Sequence, residues 1–194
     1  MTFKEFENKI VKIANLSLPG EVSHHKMAPV ERLKELTDSA RNKNTARRAA
    51  VMALFYPDAN NETNLLLILR KTYKGVHSGQ VGFPGGKAEP EDATIQETAL
   101  RETEEEVGVL QNEIQVLKKL TEIYIPPSNF FVQPFIGVST KTQNFIKQDE
   151  EVEALIEVPL HHFMDDSVLT TKTITTTYAT DIAHVSYKLI TLHT

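Results

Sequence analysis

GGKAEPEDATIQETALRETEEEVG, residues 85–108, is the most informative stretch of this sequence, because glycines at both ends enclose a dense group of acids. The acids culminate in RETEEE at 101–106. Residues 93–107 are predicted to form a helix, with Asp92 as the N-cap residue and Gly108 as the residue that ends it. The positions predicted to face the core are Ile95, Ala99, Leu100, Thr103 and Val107.

Three carboxylates of this helix share one face. At about 100° per residue, Glu105 lies roughly 60° to one side of Glu102 and Glu106 roughly 40° to the other, whereas Glu104 points away. Carboxylates this close repel each other, and clusters of carboxylate oxygens suit hard cations such as Mg²⁺ or Mn²⁺. The pattern predicts a metal site. The alternative is a solvated helix face on which Arg101 pairs with Glu105.

A glycine-rich loop precedes the helix. Residues 75–86, GVHSGQVGFPGG, contain five glycines in twelve positions, which allows the backbone to approach a ligand closely. The loop is not of the GxxxxGK[ST] phosphate-binding type, since the first glycine and the Ser or Thr are missing. The loop and the carboxylate face together indicate a functional site more strongly than either does alone.

The composition limits the classes of protein to consider. The chain has 194 residues, of which 40% are hydrophobic and 24% charged, and this is typical of a globular domain. A net charge of −5 disfavours nucleic acid as the main partner. The absence of cysteine excludes disulfides, thiolate catalysis and cysteine-ligated zinc. No apolar run is long enough to span a bilayer, so we expect a cytoplasmic protein without a membrane partner.

The N-terminal region predicts a helical extension, residues 1–44, packed on a domain at residues 45–194. Its first helix is amphipathic, with apolar residues at Phe3, Phe6, Ile10 and Ile13. This apolar stripe is expected to pack on its own domain, with a partner helix as the alternative. A short helix is predicted at 30–36, followed by a polar linker at 37–46.

The rest of the chain predicts mainly strands. Two apolar runs at 48–56 and 64–70 flank PDANNE and predict a hairpin. Further strands are predicted at 114–125, 130–138 and 152–158, and a final pair at 168–178 and 185–192. With helices before and between the strands, this pattern indicates an α/β (α+β) domain.

Residues 86–109 resemble the signature of the Nudix hydrolases. That signature begins with a glycine, any five residues, a Glu and any seven residues. It continues with Arg-Glu, an apolar residue, any residue and Glu-Glu, and it ends with any residue, a glycine and an apolar residue. Residues 101–109 match, with Thr103 at the aliphatic position. The first half departs, since Asp92 occupies the Glu position and eight residues, rather than seven, separate it from Arg101.

The coenzyme A pyrophosphatase branch of this family has a similar arrangement at the positions where this sequence departs from the general signature. That branch combines FPGG, an Asp and ALRE with an upstream motif that begins LLTxR. The positions of this sequence that fall in register are Leu66, Leu67, Arg70, Gly79 and residues 83–86, and those that differ are Ile68, Lys71 and Gly75. The branch usually ends in a tryptophan-containing segment. Here the last residues are HVSYKLITLHT, so the tail is expected either to diverge or to continue further.

The resemblance implies a Nudix-like α/β/α sandwich, with a mixed β-sheet between helices. It also implies a pyrophosphohydrolase that uses Mg²⁺ or Mn²⁺ to cleave a nucleoside diphosphate linked to another moiety. The expected substrate is coenzyme A or an acyl-CoA, and the expected products are 3′,5′-ADP and 4′-phosphopantetheine or its acyl form. Family members are often dimeric, which makes a homodimer one expected arrangement.

The site residues follow from motif positions. The expected metal ligands are Glu102, Glu105 and Glu106. The expected substrate-binding residues are Arg70, Gly85 and Gly86, and a carbonyl of the glycine pair is a further metal ligand to consider. The expected catalytic residues are Arg101, Glu105, Glu106 and Glu151. Arg101 would orient a carboxylate, Arg70 is otherwise a surface residue at a strand end, and Glu151 is favoured over Glu150 as the general base.

Two other functions stay open at this level. One is a Nudix hydrolase of another nucleotide, such as ADP-ribose, a dinucleotide or an oxidised nucleoside triphosphate. The other is a non-catalytic domain that binds a nucleotide or a protein, which the intact RETEEE disfavours. A domain stabilised by Ca²⁺ is disfavoured too, because no EF-hand-like loop is present.

Overall fold

The computed structural model describes residues 1–25, 45–72, 79–174 and 182–187. Its helices are α1 (Phe3–Ala14), α2 (Glu21–His25) and α3 (Ile95–Val107). Its strands are β1 (Arg47–Pro57), β2 (Thr63–Arg70), β3 (Val81–Gly82), β4 (Gly85–Lys87), β5 (Gln115–Lys119), β6 (Ile123–Ile125), β7 (Phe130–Val138), β8 (Val152–Pro159), β9 (Leu169–Ile174) and β10 (Ile182–Tyr187). Within these ranges, no helix is long and apolar enough to cross a membrane. The helix expected at 30–36 and most of the linker expected at 37–46 lie outside the described residues.

Strand β1 is the centre of an eight-stranded mixed sheet. It pairs antiparallel with β2 and β4 and parallel with β7, while β3 and β8 pair with β2. The predicted hairpin of β1 and β2 is confirmed, with Phe55 opposite Leu65. The Asp58 carboxylate accepts hydrogen bonds from two backbone N–H groups of the connecting turn, those of Asn60 and Glu62, both at 2.8 Å. These bonds stabilise the polar turn that joins the two strands.

The two faces of β1 pack against different helices. Leu54 and Tyr56 are buried in one cluster with Ala99 of α3, whereas Phe55 packs in another cluster with Phe6 of α1. The rings of Phe55 and Phe6 lie 4.9 Å apart between centroids. Because successive side chains of a strand point to opposite faces, α1 and α3 cover opposite faces of the sheet. The expected mixed sheet between helices is confirmed.

Helix α1 is fixed at both ends. The Thr2 hydroxyl accepts a hydrogen bond from Glu5 N at 3.3 Å, and the Glu5 carboxylate accepts one from Thr2 N at 3.0 Å. At the other end, the Lys118 ammonium of β5 donates to Ala14 O at 2.7 Å. These bonds satisfy groups that a helix terminus leaves without partners. The apolar stripe packs on the sheet through its buried members, Phe3, Phe6 and Ile10, while Ile13 is 46% exposed.

The N-cap residue of α3 differs from the prediction. The helix begins at Ile95 with Thr94 as N-cap, whose hydroxyl accepts from Glu97 N at 3.2 Å. Asp92 does not cap the helix, because its carboxylate binds the guanidinium of Arg101. An ion pair with a helix residue is formed only once the chain folds back, and this overrides the local capping preference of Asp. The predicted end at Gly108, in the left-handed conformation with φ 76°, is correct.

The single strand predicted at 114–125 is wrong, because it consists of two shorter strands, β5 and β6, that both pair with β7. Opposite the break lies Pro134 of β7, which has no N–H to donate. Its carbonyl accepts from Leu120 N at 2.9 Å and from the Gln133 side chain at 3.0 Å. A proline within a paired strand removes one hydrogen bond of the ladder, which accounts for the interruption.

The remaining predicted strands are present in the structure, although residues 175–178 of the strand predicted at 168–178 lie outside the described residues. The strands expected at 130–138 and 152–158 are β7 and β8. The final pair is β9 and β10, which form a separate antiparallel sheet. The last strand begins at Ile182 rather than at 185, and residues 188–194 lie outside the described residues.

Replacement of Phe6 by Ala tests whether α1 belongs to the same folding unit as the sheet. Phe6 is 4% exposed, so the substitution should lower the free energy of unfolding by about 3 kcal/mol in urea denaturation. Val11→Ala on the same helix is the control, since Val11 is 60% exposed and should change the stability by less than about 0.5 kcal/mol. Equal, small effects of both substitutions would contradict the proposed packing of the 1–44 extension on the 45–194 domain.

Candidate active site

The Glu106 carboxylate is the centre of the candidate site. The residue is 2% exposed, on the face of α3 that packs against the sheet. Its Oε2 accepts a hydrogen bond from Gly85 N at 2.7 Å, and its Oε1 lies 3.6 Å from the Arg70 guanidinium. Burial raises the pKa of Glu106 to about 7 although Arg70 and the Gly85 N–H act in the opposite direction, and the charges of Glu102 and Glu151 raise it further.

Glu102 lies one turn before Glu106 and against the turn at Gly85 and Gly86, here called the glycine turn. A Cβ atom built on Gly86 would lie only 2.3 Å from Glu102 Oε2, so glycine is required for the carboxylate to occupy this place. Burial also raises the pKa of Glu102. The nearby Arg101 lowers it, and the charges of Glu105 and Glu151 add to the rise. Burial thus raises the pKa of two neighbouring carboxylates of α3.

Arg101 joins the start of α3 to its acidic face. Its Nε and Nη2 bind the two oxygens of Asp92 at 2.9 and 3.0 Å, and its Nη1 lies 3.1 Å from a carboxylate oxygen of both Glu102 and Glu105. This paired bonding holds the pKa of Asp92 well below its ordinary range. The structure contains both arrangements considered for Arg101, the orientation of a carboxylate and the ion pair with Glu105.

The glycine turn requires a close approach of two strands. Gly85 has a φ of 144°, and a Cβ atom there would lie 2.2 Å from Ala50 O of β1. The Gly85 carbonyl accepts from Arg70 Nη2 at 2.5 Å. Arg70 is three-quarters buried at the end of β2 and directed at both the turn and Glu106. Arg70 is therefore not an exposed surface residue at a strand end, which is the alternative that the sequence leaves open.

Glu151 reaches the site from the loop before β8. Together with Glu105, Glu106 and Gln148 it lines an open cleft of about 250 Å³. Its carbonyl accepts from Lys71 N at 2.9 Å, which connects this loop to the residue after Arg70. Glu105 lies at the rim of the cleft, with 56% of its side chain exposed. The cleft therefore presents carboxylates from two separate parts of the chain.

The carboxylates of the site have the chemistry of a metal site but not the arrangement of one. In the described parts of the chain, no three Asp, Glu or His side chains are arranged so that they could hold one ion. Glu102 and Glu105 are bound by Arg101 instead. The chemistry of the set nevertheless fits a hard divalent cation, since the oxygens are carboxylates and the pKa values of Glu102 and Glu106 are raised by burial and by neighbouring negative charge.

Sequence reasoning placed most of these residues and missed the roles of two. Asp92 was assigned to the helix cap rather than to Arg101, and Gln148 was not singled out at all. The nine-residue separation of Asp92 and Arg101 gives no periodic signal, because the backbone between them changes direction at Thr94. Gln148 acts through the backbone of its loop, for which the sequence offers no spacing rule.

Comparison with known proteins assigns the family. The family model described as the NUDIX domain matches residues 45–175. The chain belongs to the Nudix family. The Nudix match includes β1 to β8 and α3, and therefore every residue of the candidate site.

Similar proteins carry the same family name. A protein of Yersinia pestis named as an uncharacterized Nudix hydrolase, NudL, is 43% identical over 117 residues, which are 60% of this chain and 57% of that protein. The match thus spans just over half the length of this relative. Among solved structures, the Nudix hydrolase RenU of M. smegmatis has a TM-score of 0.50 at 19% identity, covering 62% of this chain and 74% of that one. A Nudix hydrolase of Alicyclobacillus acidocaldarius has the same score and identity, covering 62% and 82%. These structures confirm the Nudix fold.

Glu106→Gln should change how the stability of the metal-free protein depends on pH. The folded-state pKa of about 7 lies above the ordinary value of 4.5, so the folded protein holds this proton more tightly than the unfolded chain. The stability that the raised pKa contributes is complete below pH 4.5 and is lost as the pH rises through 7. The loss amounts to about 3 kcal/mol. Urea denaturation with EDTA at pH 4.5 and 8 should show that the free energy of unfolding of the variant, relative to that of the wild type, is higher at pH 8 than at pH 4.5. A difference that does not depend on pH would contradict this assignment.

Proposed function

We propose that this chain is a metal-dependent pyrophosphohydrolase that cleaves a nucleoside diphosphate linked to another moiety. The observation that carries the proposal is the buried Glu106 carboxylate, whose pKa is raised by burial and also by two other carboxylates, those of Glu102 and Glu151. Such a cluster is unfavourable by itself and becomes favourable when a cation joins it. Family membership supports the same chemistry.

The residues that would hold the cation are Glu102, Glu105 and Glu106. When bound, Mg²⁺ or Mn²⁺ neutralises charge on the pyrophosphate and lowers the pKa of the attacking water. Arg101 keeps Glu102 and Glu105 on the same side of α3, because one of its nitrogens lies 3.1 Å from each carboxylate. The glycine turn leaves room for the Glu102 carboxylate and donates a backbone N–H to Glu106.

Arg70, beside the glycine turn, and Glu151, in the lining of the cleft, complete the proposed mechanism. The Arg70 guanidinium supplies positive charge for a phosphate group that enters beside the glycine turn. Glu151 is the general base, which takes a proton from the attacking water while the oxygen of that water bonds to phosphorus. The phosphorus–oxygen bond of the anhydride then breaks, and the displaced phosphate leaves on the second product. Glu151 suits this role because it lines the cleft beside Glu105 and Glu106.

Coenzyme A or an acyl-CoA is the proposed substrate. Support comes from the positions that match the motif of the coenzyme A pyrophosphatase branch, which include Arg70 and the residues of the glycine turn. The ion pair of Asp92 and Arg101 supports this substrate too. It gives a role to the Asp and to its spacing from Arg101, the two features that depart from the general Nudix signature. The proposed products are 3′,5′-ADP and 4′-phosphopantetheine or its acyl form. Another nucleotide, such as ADP-ribose, is the second candidate.

A substrate screen tests the proposed function. Coenzyme A, acetyl-CoA, ADP-ribose, a diadenosine polyphosphate and an oxidised nucleoside triphosphate are incubated with Mg²⁺, with Mn²⁺ or with EDTA, and products are identified by mass. Coenzyme A should yield 3′,5′-ADP only when a metal is present. Turnover of a different compound would reject the proposed substrate, and no turnover of any nucleotide would reject the proposed class of reaction.

Glu106→Gln should lower kcat for the confirmed substrate by about 100-fold or more, because it removes a charge that the cation requires. Glu104→Gln is the matched control on the same helix. It makes the same chemical change away from the predicted metal-binding face, and it should stay within about three-fold of the wild type. The assignment of Glu106 as a metal ligand fails if the two variants have the same kcat.

Gly86→Ala should impair turnover through the position of Glu102. The added methyl group would lie 2.3 Å from Glu102 Oε2 and must displace that carboxylate. Gly82→Ala is the control in the same loop, since a Cβ atom there meets nothing within 4 Å. We expect a loss in kcat of about 10-fold or more for the first variant and little change for the second. Full activity of Gly86→Ala would contradict the assigned place of Glu102.

A further inference from the structure

The loop between β7 and β8 contains a turn that is built around one side chain. Gln148 Oε1 accepts hydrogen bonds from Glu150 N at 2.6 Å and from Glu151 N at 2.8 Å. The carbonyl of Gln148 also accepts from Val152 N at 2.9 Å, where β8 begins. A side-chain oxygen that binds two consecutive N–H groups fixes the direction of the backbone between them. Glu151 N also donates to the Gln148 carbonyl at 3.3 Å, so both oxygens of Gln148 hold the backbone at Glu151.

The same turn is attached to the end of α3. Gln148 N donates to Glu106 O at 3.0 Å, and Ile146 N donates to Val107 O at 3.0 Å. These carbonyls belong to the last turn of the helix and lack partners within it. Gln148 is thus bonded through its backbone to the residue at the centre of the site and through its side chain to Glu151.

The turn also distinguishes between two adjacent acids. Glu151 lines the cleft together with Glu106 and Gln148, whereas the lining does not include Glu150. Glu151 is held from its other side by Lys71 N, which donates to its carbonyl at 2.9 Å. A glutamate at 148 would add a fifth carboxylate near the cluster. An apolar residue would leave Glu150 N without its acceptor and Glu151 N with only the backbone carbonyl of residue 148, at 3.3 Å. An uncharged acceptor meets both requirements.

We propose that Gln148 is a positioning residue, which holds Glu151 across the cleft from Glu106 and selects it over Glu150 as the general base. The proposal rests on the proposed hydrolase function and on Glu151 as its base. Gln148 acts through Glu151 and does not bind the substrate. Its removal should therefore lower kcat and leave KM unchanged.

Two substitutions of Gln148 separate positioning from bulk packing. Gln148→Met keeps the length of the side chain and removes the acceptor, and kcat should fall by about 10-fold with KM within about two-fold of the wild type. Gln148→Asn keeps an amide oxygen that can accept from the same turn and should restore kcat to within about three-fold. An increase in KM without a change in kcat would instead assign Gln148 to substrate binding and overturn the proposal.

A double-mutant cycle with Glu151→Gln tests whether Gln148 acts through Glu151. Once the base is removed, adding Gln148→Met should change kcat by less than about two-fold, because the two substitutions disrupt the same step. An undiminished 10-fold effect in that background would overturn the proposal. Wild-type kcat in Glu151→Gln alone would overturn it too.

Amide hydrogen exchange distinguishes failure of the inference from failure of the proposed function. In metal-free protein without substrate, Gln148→Met should speed exchange at the N–H group of Glu150 by about 10-fold or more, because it loses its acceptor. Exchange at the N–H group of Glu151 should rise by less, because that group keeps the backbone carbonyl of residue 148, at 3.3 Å, as a weaker acceptor. Exchange at Met52 N, which donates to Pro84 O in the core, is the internal control. Unchanged exchange at 150 and 151 overturns the inference even if hydrolysis is confirmed. Faster exchange in a protein that hydrolyses no nucleotide leaves the turn confirmed and rejects the function.

Discussion

The burial of one carboxylate beneath a glycine turn is the constraint on which the rest of the structure depends. Glu106 is enclosed between α3 and the turn, with the Gly85 N–H as a hydrogen-bond donor and the Arg70 guanidinium 3.6 Å away. A buried charge of this kind is costly unless polar partners surround it. The turn must therefore approach α3 closely, and β2 must end where Arg70 can face both.

Close approach explains why glycines occupy the turn. Side chains at Gly85 and Gly86 would collide with β1 and with Glu102 respectively, at 2.2 and 2.3 Å. Strand β4 pairs with β1 over Gly85–Lys87, and backbone bonds from Met52 N to Pro84 O and from Ala88 N to Arg48 O continue this contact on either side. Arg101 completes the connection on the far side, where it joins Asp92 to the acidic face of α3. Sheet, turn and helix thus form one rigid frame for the carboxylates.

The loop before β8 brings the remaining acid to this frame. Its backbone completes the hydrogen bonding at the end of α3 through Ile146 and Gln148, so the loop is part of the helix terminus rather than a separate surface segment. Gly108 permits this contact, because a Cβ atom there would lie 2.9 Å from the side chain of Ile146. The bonds at the helix end therefore connect α3 to the loop that brings Glu151 into the same cleft as Glu106.

The sequence by itself determined the elements whose signals are local. Helical periodicity placed α1 and the acidic face of α3, apolar runs placed most of the strands, and the signature placed Glu102, Glu105 and Glu106 on one helix. Only the tertiary structure decided the partners that lie far apart in the chain. Asp92 joins Arg101 instead of capping α3, a proline on β7 divides the strand at 114–125, and Gln148 aligns Glu151 with Glu106. Periodicity reports which face of an element is apolar, whereas these contacts depend on how separate elements meet, and no spacing in the sequence encodes that.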